Sequence, residues 1–61
     1  MPIVTIQMFK GRSPEAKRLL AARVTEAVAQ TIDLAPETVT VLFEEYERDD
    51  WATGGKLFSD R

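Results

Sequence analysis

The sequence contains neither cysteine nor histidine among its 61 residues. Without cysteine no disulfide can stabilise so short a chain, and the thiolate and imidazole ligands of common zinc sites are missing. The Ser-His and Cys-His pairs of many hydrolases are excluded as well. Any chemistry must therefore come from other residue types, and we expect no thiolate or imidazole metal site.

Clustered basic charge is absent too. The chain has 8 Lys and Arg residues against 10 Asp and Glu residues, a net charge of -2 and a pI near 4.9. A nucleic-acid surface needs grouped cations, which these scattered residues do not provide. No apolar run approaches the ~20 residues of a membrane span, and no signal peptide is recognisable at the amino terminus. We expect a cytoplasmic protein with no nucleic-acid or membrane partner.

Two local features are not expected to bind a ligand. Gly54-Gly55 lacks the spaced glycines and following Lys-Ser/Thr of a phosphate-binding loop. The acidic run from Glu44 to Asp50 follows a predicted strand, where carboxylates are expected to form a solvated edge rather than a divalent-cation site. Neither feature predicts a function.

The order of elements is strand, helix, strand. Ile3–Phe9 is rich in β-branched and aromatic residues and predicts a first strand with apolar side chains on both faces. Ser13-Pro14-Glu15 combines an N-cap hydroxyl, a proline at the first helical position and an early carboxylate, so a helix is predicted from Pro14 to Ile32. A second strand is predicted over Thr38–Phe43, after Pro36.

The short connections imply a right-handed βαβ crossover with a parallel strand pair. The turn at Gly54-Gly55 then predicts that Lys56-Leu57-Phe58 is a short third strand or one arm of a C-terminal hairpin. We therefore expect one α+β domain spanning residues 1–61. The helix is expected to cover one sheet face through a single apolar stripe: Leu20, Val24, Ala27, Val28 and Ile32.

One helix covers only one face of such a sheet, yet both strands carry apolar residues on the other face as well. The uncovered face is therefore expected to pack against another subunit. A chain of this size without disulfides or metal is also marginally stable alone. Both arguments predict an oligomer.

Pro2 is the residue with the clearest chemical potential. Removal of the initiator methionine, which is normal before a small residue, would leave Pro2 with a free secondary amine. An α-amino group has an ordinary pKa of about 7.7 to 8.0, and an apolar pocket or a neighbouring arginine would lower it. The neutral amine is a competent general base. With Met1 attached the nitrogen is an amide without basicity, and Pro2 would only begin a strand.

The pattern resembles the 4-oxalocrotonate tautomerase family over nearly the whole chain. The matching motifs are Met1-Pro2-Ile3, Gly11-Arg12-Ser13, the amphipathic helix, Pro36 before an apolar strand, and Trp51-Ala52-Thr53-Gly54-Gly55. The resemblance implies four-stranded dimers that usually form a hexamer. It also implies cofactor-independent keto-enol tautomerisation of a small 2-keto acid, with the terminal proline as base.

The resemblance assigns roles to four residues. Pro2 matches the catalytic proline, Arg12 matches an arginine that binds a substrate carboxylate, and Trp51 falls where the family has a pocket-lining aromatic. When one compensated shift is allowed in the alignment between Asp33 and Thr40, Thr40 aligns with a second substrate-binding arginine of the family. Threonine offers only a hydroxyl at this position. Taken singly, Arg12 can be a solvated residue beside a helix and Trp51 a subunit contact.

The threonine leaves a second function open. The chain is either a tautomerase, weakened on dicarboxylates or selective for a single carboxylate, or a non-catalytic or weakly active subunit, possibly of a heteromer. Relatives that hydrate or dehalogenate use an acidic residue that aligns near Thr53, so that chemistry is not expected here.

Overall fold

The computed structural model describes all residues from Met1 to Arg61. Strand β1 spans Ile3–Phe9, helix α1 spans Pro14–Thr31 and strand β2 spans Thr40–Tyr46. Two short strands follow, β3 at Ala52–Thr53 and β4 at Lys56–Leu57. Single 3-10 turns occupy Pro36–Thr38, Arg48–Asp50 and Phe58–Asp60.

The two long strands pair in parallel, from Ile3 opposite Thr40 to Phe9 opposite Tyr46. β3 and β4 form an antiparallel hairpin around Gly54-Gly55. The predicted α+β fold, a βαβ unit with a parallel strand pair and a C-terminal hairpin, is confirmed.

The predicted bounds of the second strand were wrong. Pro36–Thr38 forms a 3-10 turn, so the strand begins at Thr40 and not at Thr38. At its other end it continues through Glu44 and Glu45 to Tyr46 rather than ending at Phe43. The charged residues continue the strand because each has a partner: Glu44 accepts a hydrogen bond from Gln7, and Glu45 pairs with a lysine of α1.

Both ends of α1 have local stop and start signals. The Ser13 hydroxyl accepts a hydrogen bond from the Ala16 N–H at 3.1 Å, as an N-cap does. After the last helical residue, Asp33 adopts a φ of 57°, and the Leu34 N–H donates to the Ala29 carbonyl at 2.9 Å. The helix therefore ends in a Schellman motif, in which a left-handed residue is followed by an N–H that donates a hydrogen bond to the third-last helical residue. Pro36 lies beyond it, as predicted.

The core is very small. Only Ala29 is fully buried, while alternate residues of β1 and β2 are half-buried beneath the helix. Val24 and Val28 of the predicted stripe are half-buried, but Leu20, Ala27 and Ile32 are exposed. The residues of α1 that turn inwards instead share one helical face: Lys17, Ala21, Val24, Thr25, Val28 and Ala29. Apart from Lys17, these inward side chains are short.

The opposite sheet face has no cover within the chain. Ile3 is 63% exposed and Leu42 is 46% exposed. The chain is also extended, with a radius of gyration of 14.6 Å, whereas a compact chain of this length has about 10.5 Å. Its accessible surface is 4686 Å², against roughly 4000 Å² for a compact monomer of this mass. The excess is close to the ~800 Å² that one partner contributes to a standard interface.

No helix is long and apolar enough to cross a membrane.

Candidate functional site

The amino-terminal end of the sheet holds Pro2 and Thr40. The Thr40 N–H donates a hydrogen bond to the Pro2 carbonyl at 3.0 Å, at the start of the ladder in which Ile3 pairs with Thr40. Both residues are half-buried. Pro2 has no N–H to lose to the ladder, so it suits the position that begins a strand. The backbone hydrogen bond from Thr40 restrains the position of Pro2.

The opposite end of the sheet holds Trp51 in an aromatic cluster. Its ring centroid lies 4.6 Å from that of Phe9, 5.9 Å from Tyr46 and 6.5 Å from Phe58. Phe9 and Tyr46 are the last residues of β1 and β2, and they share the uncovered sheet face. The Trp51 carbonyl accepts a bond from the Phe58 N–H at 2.8 Å, which attaches the hairpin to this end. We call Phe9, Tyr46, Trp51 and Phe58 the aromatic cluster.

Arg12 lies at the same end as Trp51 but opens on the helix side. It follows Gly11, whose φ of 116° turns the chain from β1 towards α1. Its side chain lines a cleft of about 430 Å³ together with Lys17, Phe43 and Glu45. It is exposed and makes no ion pair or side-chain hydrogen bond. The guanidinium is therefore available to an anionic ligand.

The four predicted site residues thus form two groups within one chain. Pro2 and Thr40 lie at one end of the strands, and Arg12 and Trp51 lie at the other. The seven residues of β1 between them span about 20 Å. A small molecule bound at Pro2 therefore cannot touch Arg12 or Trp51 of the same chain.

The structure also identifies residues that sequence reasoning missed. Phe9 and Phe58 surround Trp51, and the guanidinium carbon of Arg48 lies 4.6 Å from the centre of the Phe9 ring. The available signal was that four of the chain's five aromatic residues stand at or beyond a strand end. Their convergence depends on the hairpin folding back, which local sequence does not specify.

Three polar contacts stabilise the sheet near the cluster. On the helix side, Lys17 Nζ lies 2.8 Å from Glu45 Oε1, with side chains only 30% and 25% exposed. On the uncovered face, Glu44 Oε1 accepts bonds from Gln7 Nε2 at 3.0 Å and from the Tyr46 hydroxyl at 3.3 Å. Of the two carboxylates of β2, Glu45 therefore forms an ion pair on the helix side, and Glu44 accepts hydrogen bonds on the uncovered face.

Comparison with known proteins agrees with this fold. The family model described as "Tautomerase enzyme" matches residues 2–61. The chain belongs to the tautomerase family. A probable tautomerase of Halalkalibacterium halodurans is 51% identical over 61 residues, all of both chains. The 2-hydroxymuconate tautomerase of Bacillus subtilis is 45% identical over 60 residues, 98% of this chain and 97% of that protein. The predicted family and enzyme class, an isomerase, are confirmed.

Solved tautomerase structures share the whole architecture. A 4-oxalocrotonate tautomerase homologue superposes with a TM-score of 0.92 at 41% identity, covering 100% of this chain and 97% of its own. A heterohexameric 4-oxalocrotonate tautomerase from Chloroflexus aurantiacus superposes with a TM-score of 0.91 at 30% identity, covering 98% and 97%. Tautomerases of this fold thus include an oligomer built from more than one kind of chain.

Proposed function

We propose that this tautomerase interconverts the enol and keto forms of a small 2-keto acid, without a cofactor, with Pro2 as the general base. The observation that carries the proposal is the fixed position of Pro2, whose carbonyl is bonded to the Thr40 N–H at 3.0 Å. Its ring nitrogen becomes a secondary amine once Met1 is removed. Met1 is 92% exposed, so the bond to be cleaved is accessible before assembly.

The reaction needs one proton carrier. The Pro2 nitrogen accepts the proton of the enol hydroxyl as the O–H electron pair forms the carbonyl, and the carbon–carbon π electrons take a proton back from the same nitrogen. No atom is gained or lost, and no oxidant takes part. The base is regenerated in the step that protonates carbon.

The remaining groups come from a second chain. Because Arg12 and Trp51 lie about 20 Å from Pro2 along β1, they serve the Pro2 of a neighbouring subunit. A two-fold axis that places the neighbouring strands of two chains antiparallel brings the Pro2 end of each chain next to the Arg12 and Trp51 end of the other. The dimer therefore contains two such sites. Arg12 then binds the substrate carboxylate with its guanidinium fork. Trp51 excludes water and favours the neutral amine. Thr40 lines the site beside Pro2 with an uncharged hydroxyl.

The proposed assembly contains four-stranded dimers, which form a hexamer in the arrangement that the family resemblance implies. The exposed Ile3 and Leu42 on the uncovered face and the excess accessible surface support an oligomer. The cytoplasmic location predicted from the sequence stays a prediction.

The deciding experiment combines intact mass with a proline variant. A mass lower than that of the full sequence by one methionine establishes the free amine. Pro2→Ala is then expected to abolish turnover of 2-hydroxymuconate and smaller enols while the oligomer forms as before. Unchanged turnover in Pro2→Ala would refute Pro2 as the base.

Two observations favour a second function. Thr40 supplies no charge beside Pro2, and the Chloroflexus aurantiacus relative is a heterohexamer. The chain would then be a weakly active or non-catalytic subunit whose site is completed by a different chain. Purification with a second tautomerase chain, and turnover only in that complex, would favour this alternative.

A further inference from the structure

The turn after β2 places one guanidinium group against the aromatic cluster. The guanidinium carbon of Arg48 lies 4.6 Å from the Phe9 ring centroid, and the same ring packs on Trp51 with centroids 4.6 Å apart. Arg48 and Trp51 therefore contact one phenyl ring. An arginine held over a ring face gains cation–π attraction and keeps the orientation of its planar fork.

Arg48 has no anionic partner in its own chain. It forms neither an ion pair nor a side-chain hydrogen bond, although Glu47, Asp49 and Asp50 adjoin it in sequence. Glu47 pairs instead with Lys10, at 3.2 Å. Within its own chain the Arg48 fork therefore has N–H groups without an acceptor, while the ring of Phe9 restrains their position.

Arg48 also lies on the side of the sheet where Trp51 stands. It lines a cavity of about 400 Å³ with Phe9, Tyr46 and Asp49. Tyr46 also lines a second cavity, together with Trp51 and Gln7. Arg12, in contrast, lines the cleft beneath the helix. Both guanidinium groups thus lie at the end of the sheet where β1 and β2 finish, Arg12 on the helix side and Arg48 beside the aromatic cluster.

We propose that Arg48 binds a second carboxylate of the substrate and so determines a preference for dicarboxylates over monocarboxylates. The proposal rests on the proposed function for the identity of the reaction and for the neighbouring Pro2, but the anion site itself is built from residues of one chain. Asp49 lines the same cavity and opposes a second negative charge. The two residues therefore have opposite effects on a dianion.

Binding can be measured apart from turnover, because Trp51 is the only tryptophan. Adipate and hexanoate, unreactive acids of equal length, are titrated into the full-length, Met1-processed oligomer while Trp51 fluorescence is followed. Arg48→Met is expected to weaken adipate binding about tenfold, the effect of losing one charge-assisted hydrogen bond, and to change hexanoate binding less than twofold. Arg48→Lys should restore part of the loss, and Asp49→Asn should tighten adipate binding about threefold.

Arg23→Met is the matched control, because Arg23 is an exposed arginine of α1 with no ion pair. It should leave both affinities unchanged, which rules out a general effect of net charge. Adipate binding that is insensitive to Arg48→Met, or equal losses for both acids, would overturn the proposal. The same titrations in Pro2→Ala separate the two ideas: Arg48-dependent adipate binding without turnover supports the anion site whatever the identity of the base.

Discussion

Pro2 and Thr40 are joined through the backbone only: the Thr40 N–H donates to the Pro2 carbonyl at 3.0 Å, and neither side chain takes part. The side chain at position 40 can therefore be changed without removing the bond that anchors the proposed base. This separation of roles makes position 40 a suitable place to test the electrostatics of the site.

Thr40→Arg is expected to raise kcat/KM on a dicarboxylate enol by roughly 10- to 100-fold, because a guanidinium beside Pro2 stabilises charge that develops on the substrate oxygens. Steady-state kinetics on mono- and dicarboxylate enols measure the effect. Thr40→Val is the control, since it removes the hydroxyl without adding charge and should change the rates little. An arginine variant no better than wild type would count in favour of the non-catalytic subunit.

Gly11→Ala is expected to destabilise the fold by about 1 to 3 kcal/mol and to raise KM, because a φ of 116° is strained for any residue with a Cβ. The space around the added Cβ is open, so the cost comes from the backbone and not from a clash. Gly54→Asn is the control: its φ of 63° lies in the left-handed region that asparagine tolerates. Urea unfolding and KM should both distinguish the variants; equal effects would contradict a special role for the turn before Arg12.

Lys17→Met is expected to cost about 1 to 2 kcal/mol in the free energy of unfolding, because it leaves the partly buried Glu45 carboxylate unpaired. Methionine retains the packing of the lysine stem. Lys10→Met breaks the pair with Glu47, whose side chains are 57% and 58% exposed, and such a pair contributes at most about 0.5 kcal/mol. Both are measured by urea unfolding at one protein concentration, since assembly contributes to stability. Equal losses of unfolding free energy in Lys17→Met and Lys10→Met would mean that partial burial does not strengthen the Lys17–Glu45 ion pair.

Asp33→Gly is expected to stabilise the protein by about 0.5 to 1 kcal/mol, because Asp33 adopts the left-handed conformation that glycine adopts freely. Part of any gain could instead come from removing a negative charge at the carboxyl end of α1. Asp33→Asn isolates that part, since it removes the charge and keeps a side chain. Thermal unfolding should therefore rank glycine above asparagine and asparagine above wild type, and a glycine variant equal to asparagine would exclude the backbone contribution.

Leu42→Asp is expected to dissociate the oligomer, because Leu42 stands 46% exposed on the uncovered sheet face and a buried unpaired charge is costly. Leu19→Asp is the control: Leu19 is 53% exposed and lies on the side of α1 that faces away from the sheet. Sedimentation velocity should show smaller species for Leu42→Asp alone. Dissociation by the helix variant alone would place the interface on the other side of the molecule.

Much of the fold follows from local sequence. Ser13 and Pro14 mark the start of α1, and alternation of apolar residues marks β1, because capping and strand periodicity depend on near neighbours. The extension of β2 through Glu44 and Glu45 was missed, since it depends on Gln7 and Lys17 from distant positions. The apolar stripe of α1 was placed partly wrong because the helix turns small residues to the sheet, and docking geometry is a property of both elements.

For the site, the sequence by itself determined which chemistry is available: without cysteine or histidine, an amino-terminal proline and an arginine after Gly11 remain. Only the tertiary structure decided where they stand. A parallel pair places the starts of both strands at one end and their ends at the other, so Pro2 is separated from Arg12 and Trp51 within each chain. It also brings Arg48 onto Phe9, a contact across 39 positions that no local pattern specifies.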